Sequence, residues 1–365
     1  MARRNTREAW DVKPIPFEQL PSDRAKFEFL VRYAILAPSS HNTQPWRFRI
    51  GDDYIELLAD KSRALPVIDY QNRQLIMSCG AALFNLRVAM RRFGWLDEVE
   101  FFPDHYDPNL LARVRRAERD YEPTRTELGM FDAIPMRHTN RKPFELRPVS
   151  HTIAEQLVRA CAHERAWLVR LHPDAKYAAA ELISQADRDQ FADKDFRAEL
   201  SEWLVSNSSQ RGDGIPGYTK SYAAVTSYGT SALVRTFDIG KSVAATERDL
   251  AAGSPMLVVL GTTYDDSVAW LEGGQAMQRM LLTAQLYGLS ASFLNQPLEL
   301  DNYRPQFAAL TEHDGFPQLI MRIGYGPAGP STPRRRLEEV VETVDDSVEN
   351  DVPGPALRLC PPIQG

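Results

Sequence analysis

Apolar residues at helical spacing (Phe27, Leu30, Val31, Ala34, Ile35) follow the capping pair Ser22-Asp23 and predict a helix ending near Leu36. Alternation takes over at Trp46-Arg47-Phe48-Arg49-Ile50. Asp52-Asp53 makes a turn, and Tyr54 to Ala59 runs as a second strand, a hairpin signal. Leu75, Cys79, Ala82, Leu83, Leu86 and Met90 mark a long helix from Asn72 to Phe93, stopped at Gly94. A short strand is expected at Val99 to Phe102, a helix at Leu110 to Asp120, and a connector at Glu122 to Ala133. Later come a helix over Asp195 to Leu204, a strand Met256 to Gly261 apolar enough to be covered on both faces, and a long helix Trp270 to Tyr287. A short strand runs into Phe293 to Pro297, and an apolar strand follows at Pro317 to Gly324.

The pattern restarts at Arg137. Arg3 to Trp10 aligns with Arg137 to Phe144, an offset of 134 (137 − 3). Trp46 to Ile50 aligns with Trp167 to Leu171 at 121 (167 − 46), and Gly80 and Gly94 align with Gly274 and Gly288 at 194 (274 − 80). Each match is short, but their common order points to two copies of one unit. We divide the chain into copy 1 (1–133), copy 2 (134–342) and a mobile acidic, Pro-rich tail (343–365), with residues 1–16 as an extended arm. The falling offset means that copy 2 lacks the loop between its first helix and strand; Cys161 to Arg165 stands there instead. The later rise places an insertion at about 187–242, whose Gly-rich segment 206–218 has the character of a lid.

Composition narrows the class. The chain has 365 residues, 43% apolar, enough for a sizeable core, and a net charge of −6 that leaves no footprint for nucleic acid. Cys79, Cys161 and Cys360 are scattered without metal or disulfide spacing, and seven histidines are dispersed, so no metal is expected. No apolar run approaches the roughly 20 residues of a bilayer span, and Arg3-Arg4 is not followed by an apolar signal core. A cytoplasmic protein without a membrane partner is expected.

The stretch Ala37-Pro38-Ser39-Ser40-His41-Asn42-Thr43-Gln44-Pro45-Trp46 cannot continue a helix cheaply. It is either an ordinary connection or a rigid turn whose Asn42 and Gln44 amides face a heterocycle with alternating donors and acceptors, such as a flavin pyrimidine. Arg137-His138-Thr139-Asn140-Arg141 is either a solvated basic run or a phosphate grip of two guanidiniums and a hydroxyl, and Arg334-Arg335-Arg336 poses the same choice. A nicotinamide site of the G-x-G-x-x-G type is absent from the sequence.

The run A-P-S-S-x-N-x-Q-P-W resembles the nitroreductase-like flavoproteins. Asp60 to Pro66, Asp69, Arg73 and Ser78 to Leu83 are similar to their Acg-type subgroup, over most of residues 1–340. The resemblance implies an α+β fold with antiparallel-rich sheets flanked by long helices, the two copies fused as a pseudo-dimer. It implies one FMN per chain, with Ser39, Ser40, Asn42 and Gln44 from copy 1. Copy 2 would supply Arg137, His138, Thr139, Arg334 and Arg336 at the phosphate end and Arg141 nearer the flavin ring. Leu294, Asn295 and Gln296 would stand at the strand end near flavin N5, where many relatives carry Glu-Gly. Two functions are compatible with this resemblance. One is an FMN-dependent oxidoreductase passing hydride from NAD(P)H to a nitro compound or quinone. The other is an FMN-sequestering protein whose lid prevents turnover.

Overall fold

The computed structural model describes residues 8–12, 16–219, 230–236 and 238–344. The arm around Arg3 and Arg7, residues 220–229 and 237 of the expected insertion, Cys360 and nearly all of the tail lie outside these residues.

The first sheet has the order β11-β1-β2-β4-β3. It contains β1 (Trp46–Ile50), β2 (Tyr54–Ala59), β3 (Trp95–Phe101), β4 (Leu110–Asp120) and, from the far end of the chain, β11 (Val341–Thr343). β1 alternates as expected: Trp46, Phe48 and Ile50 are buried, while Arg47 and Arg49 face outward. The inner face meets α1 (Asp23–Ala34) and α2 (Arg73–Arg92), and the outer face carries charged pairs such as Glu56 with Arg49 and Arg113.

The second sheet has the order β5-β8-β10-β9, formed by β5 (Ala166–Arg170), β8 (Met256–Thr262), β9 (Leu289–Phe293) and β10 (Phe316–Tyr325). The unbroken apolar run in β8 has a direct cause. Met256, Val258 and Leu260 join the large central core, whereas Leu257 and Val259 join a second core beneath α5 (Pro173–Ala192) and α8 (Gly240–Ala252). Both faces are therefore covered, as the composition of the strand predicts.

The two sheets share one plan. Without β11, strand order in the first is first-second-fourth-third, and the second repeats it. α1 and α4 (His151–Ala162) precede them, and α2 and α9 (Ser267–Leu286) are helices of 20 residues that cross in the central core. Glycines make that crossing close. A Cβ on Gly80 would lie 2.3 Å from the Leu271 carbonyl oxygen, and one on Gly274 2.1 Å from that of Met77.

Two expectations fail here. Leu110 to Asp120 is strand β4, not a helix. It lies between β2 and β3, and Leu110, Leu111 and Ala112 are buried on both faces, which hides the two-residue period at its start. Glu122 to Ala133 is not a plain connector. It contains α3 (Arg125–Ala133), opened by a reciprocal cap between Thr124 and Glu127.

The insertion holds the end of α5, then α6 (Lys194–Trp203), a two-residue parallel pair β6 (Leu204–Val205) and β7 (Ile215–Pro216), and α7 (Thr230–Thr236). A short helix α10 (Arg304–Ala309) precedes β10. Phe191, Phe196, Leu200, Leu204, Ile215 and Val243 pack with Leu65 and Ile68 of the first half, so the insertion rests on the opposite half of the chain.

Candidate functional site

The loop after α1 has an unusual backbone. His41, Asn42 and Gln44 have φ of 49°, 55° and 51°, in the left-handed region that costs most residues about 1 kcal/mol or more each. Side chains hold this shape. Ser39 Oγ accepts from the Gln44 amide (2.9 Å), and Ser40 Oγ donates to Gln74 Oε1 (2.5 Å) on α2.

The stretch 137–142 is laid along the edge of the second sheet. Thr139 bridges to Ala291, the Asn140 amide donates to the Ala291 carbonyl (2.9 Å), and the Arg322 guanidinium donates to the carbonyls of Asn140 (3.1 Å) and Lys142 (2.9 Å). This anchoring aims Arg137 inward, where it is 5% exposed. The one hydrogen bond of its guanidinium among the described residues is a long one, 3.5 Å to the Leu36 carbonyl, and its Nε has no partner there.

Arg334 is buried beside it. It donates to the carbonyls of Leu36 (3.2 Å), Ala37 (3.0 Å) and Pro333 (2.9 Å), to Thr332 Oγ1 (2.6 Å) and to Asn42 Oδ1 (3.1 Å). Trp10 covers its outer side, with the guanidinium 4.5 Å from the ring centroid. Among the described residues neither guanidinium has a carboxylate at ion-pair distance. The end of α1 offers only carbonyls, about half an elementary negative charge against two positive ones. Burial accordingly pulls the Arg137 pKa down to about 10, and burial together with Arg137 pulls that of Arg334 well down. His138 lies next to both. Burial first, then these two cations, lower its pKa to about 3, so it is neutral at ordinary pH.

One cavity joins these groups. Ser39, Ser40 and Asn42 line it from the first half, and Arg137, His138, Thr139, Arg141, Asn295, Gln296 and Arg334 from the second. Phe191, Phe196, Leu200 and Ile215 of the insertion form its apolar wall. Three candidates fall outside. Gln44 is fully buried, its amide spent on Gly212, Asn42 and the Arg335 amide nitrogen. Leu294 belongs to the core under α5, and Arg336 is exposed on another face. The arginine that sequence reasoning missed is Arg335, which binds the carbonyls of Gln44 (3.0 Å) and Trp46 (3.2 Å) and anchors the loop.

No family model matches the chain. It is 31% identical over 315 residues to "Putative NAD(P)H nitroreductase Rv3131" of Mycobacterium tuberculosis (strain H37Rv), covering 85% of this chain and 89% of that one. It is 31% identical over 318 residues to "Putative NAD(P)H nitroreductase acg" of the same strain, covering 85% and 93%. The chain belongs to this nitroreductase family. Among solved structures, the FMN-dependent nitroreductase NfnB of Mycobacterium smegmatis in complex with NADPH is similar over 59% of this chain and 98% of its own, at 14% identity and a TM-score of 0.39.

The remaining side chains of the site hold its walls. Asn295 Oδ1 accepts from the Ile320 amide (3.0 Å) and fixes the end of β9. Gln296 donates to Asp187 (3.1 Å), while its buried Oε1 has no hydrogen-bond partner among the described residues. Glu299 accepts from Gln74 (2.8 Å) and Gln190 (2.7 Å), linking α2 to α5 across the cavity wall. Asp69 caps α2 through the amides of Gln74 (3.0 Å) and Leu75 (2.9 Å); burial still raises its pKa to about 6. Among the described residues no cluster of His, Cys, Asp and Glu is placed to hold a metal, and no helix is long and apolar enough to cross a membrane.

Proposed function

We propose that the chain is an FMN-dependent NAD(P)H oxidoreductase of the nitroreductase type, with one FMN per chain held between two halves that arose as copies of one unit. The observation that carries this reading is the buried pair Arg137 and Arg334, two cations without a carboxylate, opening into a cavity that the loop 39–42 closes from the other half. A phosphate supplies the missing negative charge, and a guanidinium with free donors grips it well. The donor set fits: Arg137 has donors to give, Thr139 adds a hydroxyl, and Gln296 Oε1 is an acceptor awaiting a donor such as a ring N–H.

Bound FMN would supply the two-electron chemistry between NAD(P)H and a nitro or quinone-like acceptor. The chain's own part is to bind, orient and exclude water. Arg137 and Thr139 hold the anionic end, with Arg334 adding charge from a fixed position. Asn295 and Gln296 flank the reactive edge at the end of β9, and Arg141 places a positive charge along the ring. The apolar wall from Phe191 to Ile215 keeps water off the reacting face. The single site follows from the turn 163–165, which stands in copy 2 where copy 1 has the loop. The buried free thiols Cys79 and Cys161 suit a cytoplasmic location.

A second reading, FMN storage with little turnover, is favoured by how firmly the insertion is seated: Glu199 accepts from the amides of Val67 (2.8 Å) and Ile68 (3.2 Å), and Arg63 pairs with Asp213. One experiment separates the two. The visible spectrum of purified protein gives the flavin-to-chain ratio, expected near one; a ratio near two ends the single site, and rejection of FMN ends both readings. NAD(P)H oxidation with a nitroaromatic acceptor then decides for the enzyme, and its absence in flavin-loaded protein decides for storage.

A further inference from the structure

The resemblance points Asn42 and Gln44 at the cofactor, yet their amides bind the insertion. Gln44 Nε2 donates to the Gly212 carbonyl (2.8 Å), and Asn42 Nδ2 to the carbonyls of Gly214 (3.0 Å) and Pro333 (3.1 Å). The Gly214 amide donates back to the Asn42 carbonyl (3.3 Å). The same Asn42 side chain takes a hydrogen bond from Arg334 (3.1 Å). Segment 211–218 is thus keyed between the loop and the strand of chain that carries Arg334. Gly212 makes the fit: a Cβ there would lie 2.6 Å from the Arg334 carbonyl oxygen and 3.2 Å from the Arg335 Cα, backbone atoms that cannot swing aside. Arg63 fastens the seat. It donates to the Thr43 carbonyl (2.5 Å), pairs with Asp213 and lies over the Trp203 ring at 5.5 Å.

We infer that Gly212, Asp213 and Arg63 are positioning residues for the anion grip, so that seating of segment 211–218 and binding of a phosphate-bearing ligand are coupled through the Asn42 side chain. The inference rests on the FMN reading for its ligand. Seated, the segment holds Asn42 against Arg334 and fixes that guanidinium in the cavity wall. Unseated, Asn42 loses one of its carbonyl partners and Arg334 loses a fixed acceptor. Coupling is reciprocal: whatever factor the segment lends to anion affinity, the anion lends to the segment. The part carried through Asn42 and Arg334 is specific to the phosphate, whereas Ile215 meets either flavin, so the segment weights FMN over riboflavin.

The test variant is Gly212→Ala, which removes no hydrogen-bonding group and no cavity-lining side chain. Arg63→Gln unfastens the same seat independently should Gly212→Ala fold poorly, and Arg63→Lys is the conservative rescue. Equilibrium affinities for FMN and riboflavin are measured on the full chain. Amide hydrogen exchange of 211–218 is followed with and without FMN or inorganic phosphate. The FMN-to-riboflavin preference should fall at least about 5-fold in Gly212→Ala and Arg63→Gln and recover partly in Arg63→Lys, with riboflavin weakened by a smaller factor than FMN. FMN or phosphate should slow exchange of 211–218 in the wild type and not in Gly212→Ala. Weakening of both flavins by one common factor, or amides that no anion protects, overturns the coupling. A wild type that rejects both flavins while phosphate still protects those amides retires the FMN reading and leaves the coupling standing.

Discussion

Between α1 and β1 the chain runs through residues 35–45; at the corresponding place between α4 and β5 it turns in residues 163–165. The surroundings of arginine differ just as sharply. At the short turn, the buried Glu164 accepts from Arg87 (2.9 Å) and Arg279 (2.8 Å), one carboxylate between two cations. At the long loop, Arg137 and Arg334 meet carbonyl oxygens and the Thr332 hydroxyl, with no carboxylate at ion-pair distance among the described residues. Elsewhere the fold neutralises paired arginines with its own carboxylates, as at Glu164, Asp97 and Glu56; beside the long loop no described carboxylate does so. The lesson is that the shared frame supplies stability twice, whereas on the proposed reading binding capacity would come from what the two connections do differently.

The contrast can be broken in four ways. The largest effect is expected for Glu164→Gln, which takes the carboxylate from half-buried Arg279 and leaves Arg87 with Asp97 as its only carboxylate: about 3 kcal/mol of unfolding free energy should be lost in a urea titration, with flavin affinity of the folded protein unchanged. Of similar size, Gly274→Ala and Gly80→Ala should each cost about 3 kcal/mol, since each Cβ meets backbone of the other helix. A silent partner in that pair would show that the crossing is not reciprocal. Arg137→Ala should weaken FMN by about 1.5–3 kcal/mol, roughly 10- to 150-fold by fluorescence titration, with little loss of stability in the flavin-free protein, because the buried charge it removes has only a long bond to the Leu36 carbonyl there. Flavin affinity left intact would move the anion end elsewhere.

The smallest effect is in acid. The folded-state pKa of His138 lies near 3 against an ordinary 6.5, so the unfolded chain binds the extra proton between these values and stability drops as pH falls through that window. Asp69 works the other way. Its folded pKa near 6 exceeds the ordinary 3.8, so the folded state binds more protons there and stability drops as pH rises from 3.8 to 6. His138→Phe removes the first contribution and leaves those of Asp69 and the other carboxylates in place. Relative to wild type, its stability between pH 4 and 6 should slope downward with rising pH, and equal slopes would remove His138 from the account.

Local signals in the chain were enough for the long helices, the first hairpin and the continuously apolar β8, because each rests on periodicity or on a stop such as Gly94. β4 escaped because its first residues are covered on both sides. α3 carried a readable signal, Thr124 three residues before Glu127, that went unused. The cavity was legible as a set of segments, and Ser40, Arg137, Thr139 and Gln296 do meet across it. The duties of Asn42, Gln44 and Arg335 were not legible. Their partners stand 168 to 292 positions away, at Gly212 and in the stretch around Arg334, and no local pattern encodes such pairings. In an extended stretch of three arginines, sequence also gave no means to tell that Arg335 turns inward and Arg336 outward.

β11 pairs in parallel with β1, Phe48 opposite Val341, and completes a sheet begun near the other end of the chain. During synthesis the outer margin of β1 therefore stays open until almost every described residue has left the ribosome. An open margin is a template for the wrong partner, and pairings this distant form late. Nascent chains stalled before residue 341 should be the ones that recruit chaperones or precipitate, and yield in the cell should respond more to translation rate than to the stability of the finished molecule.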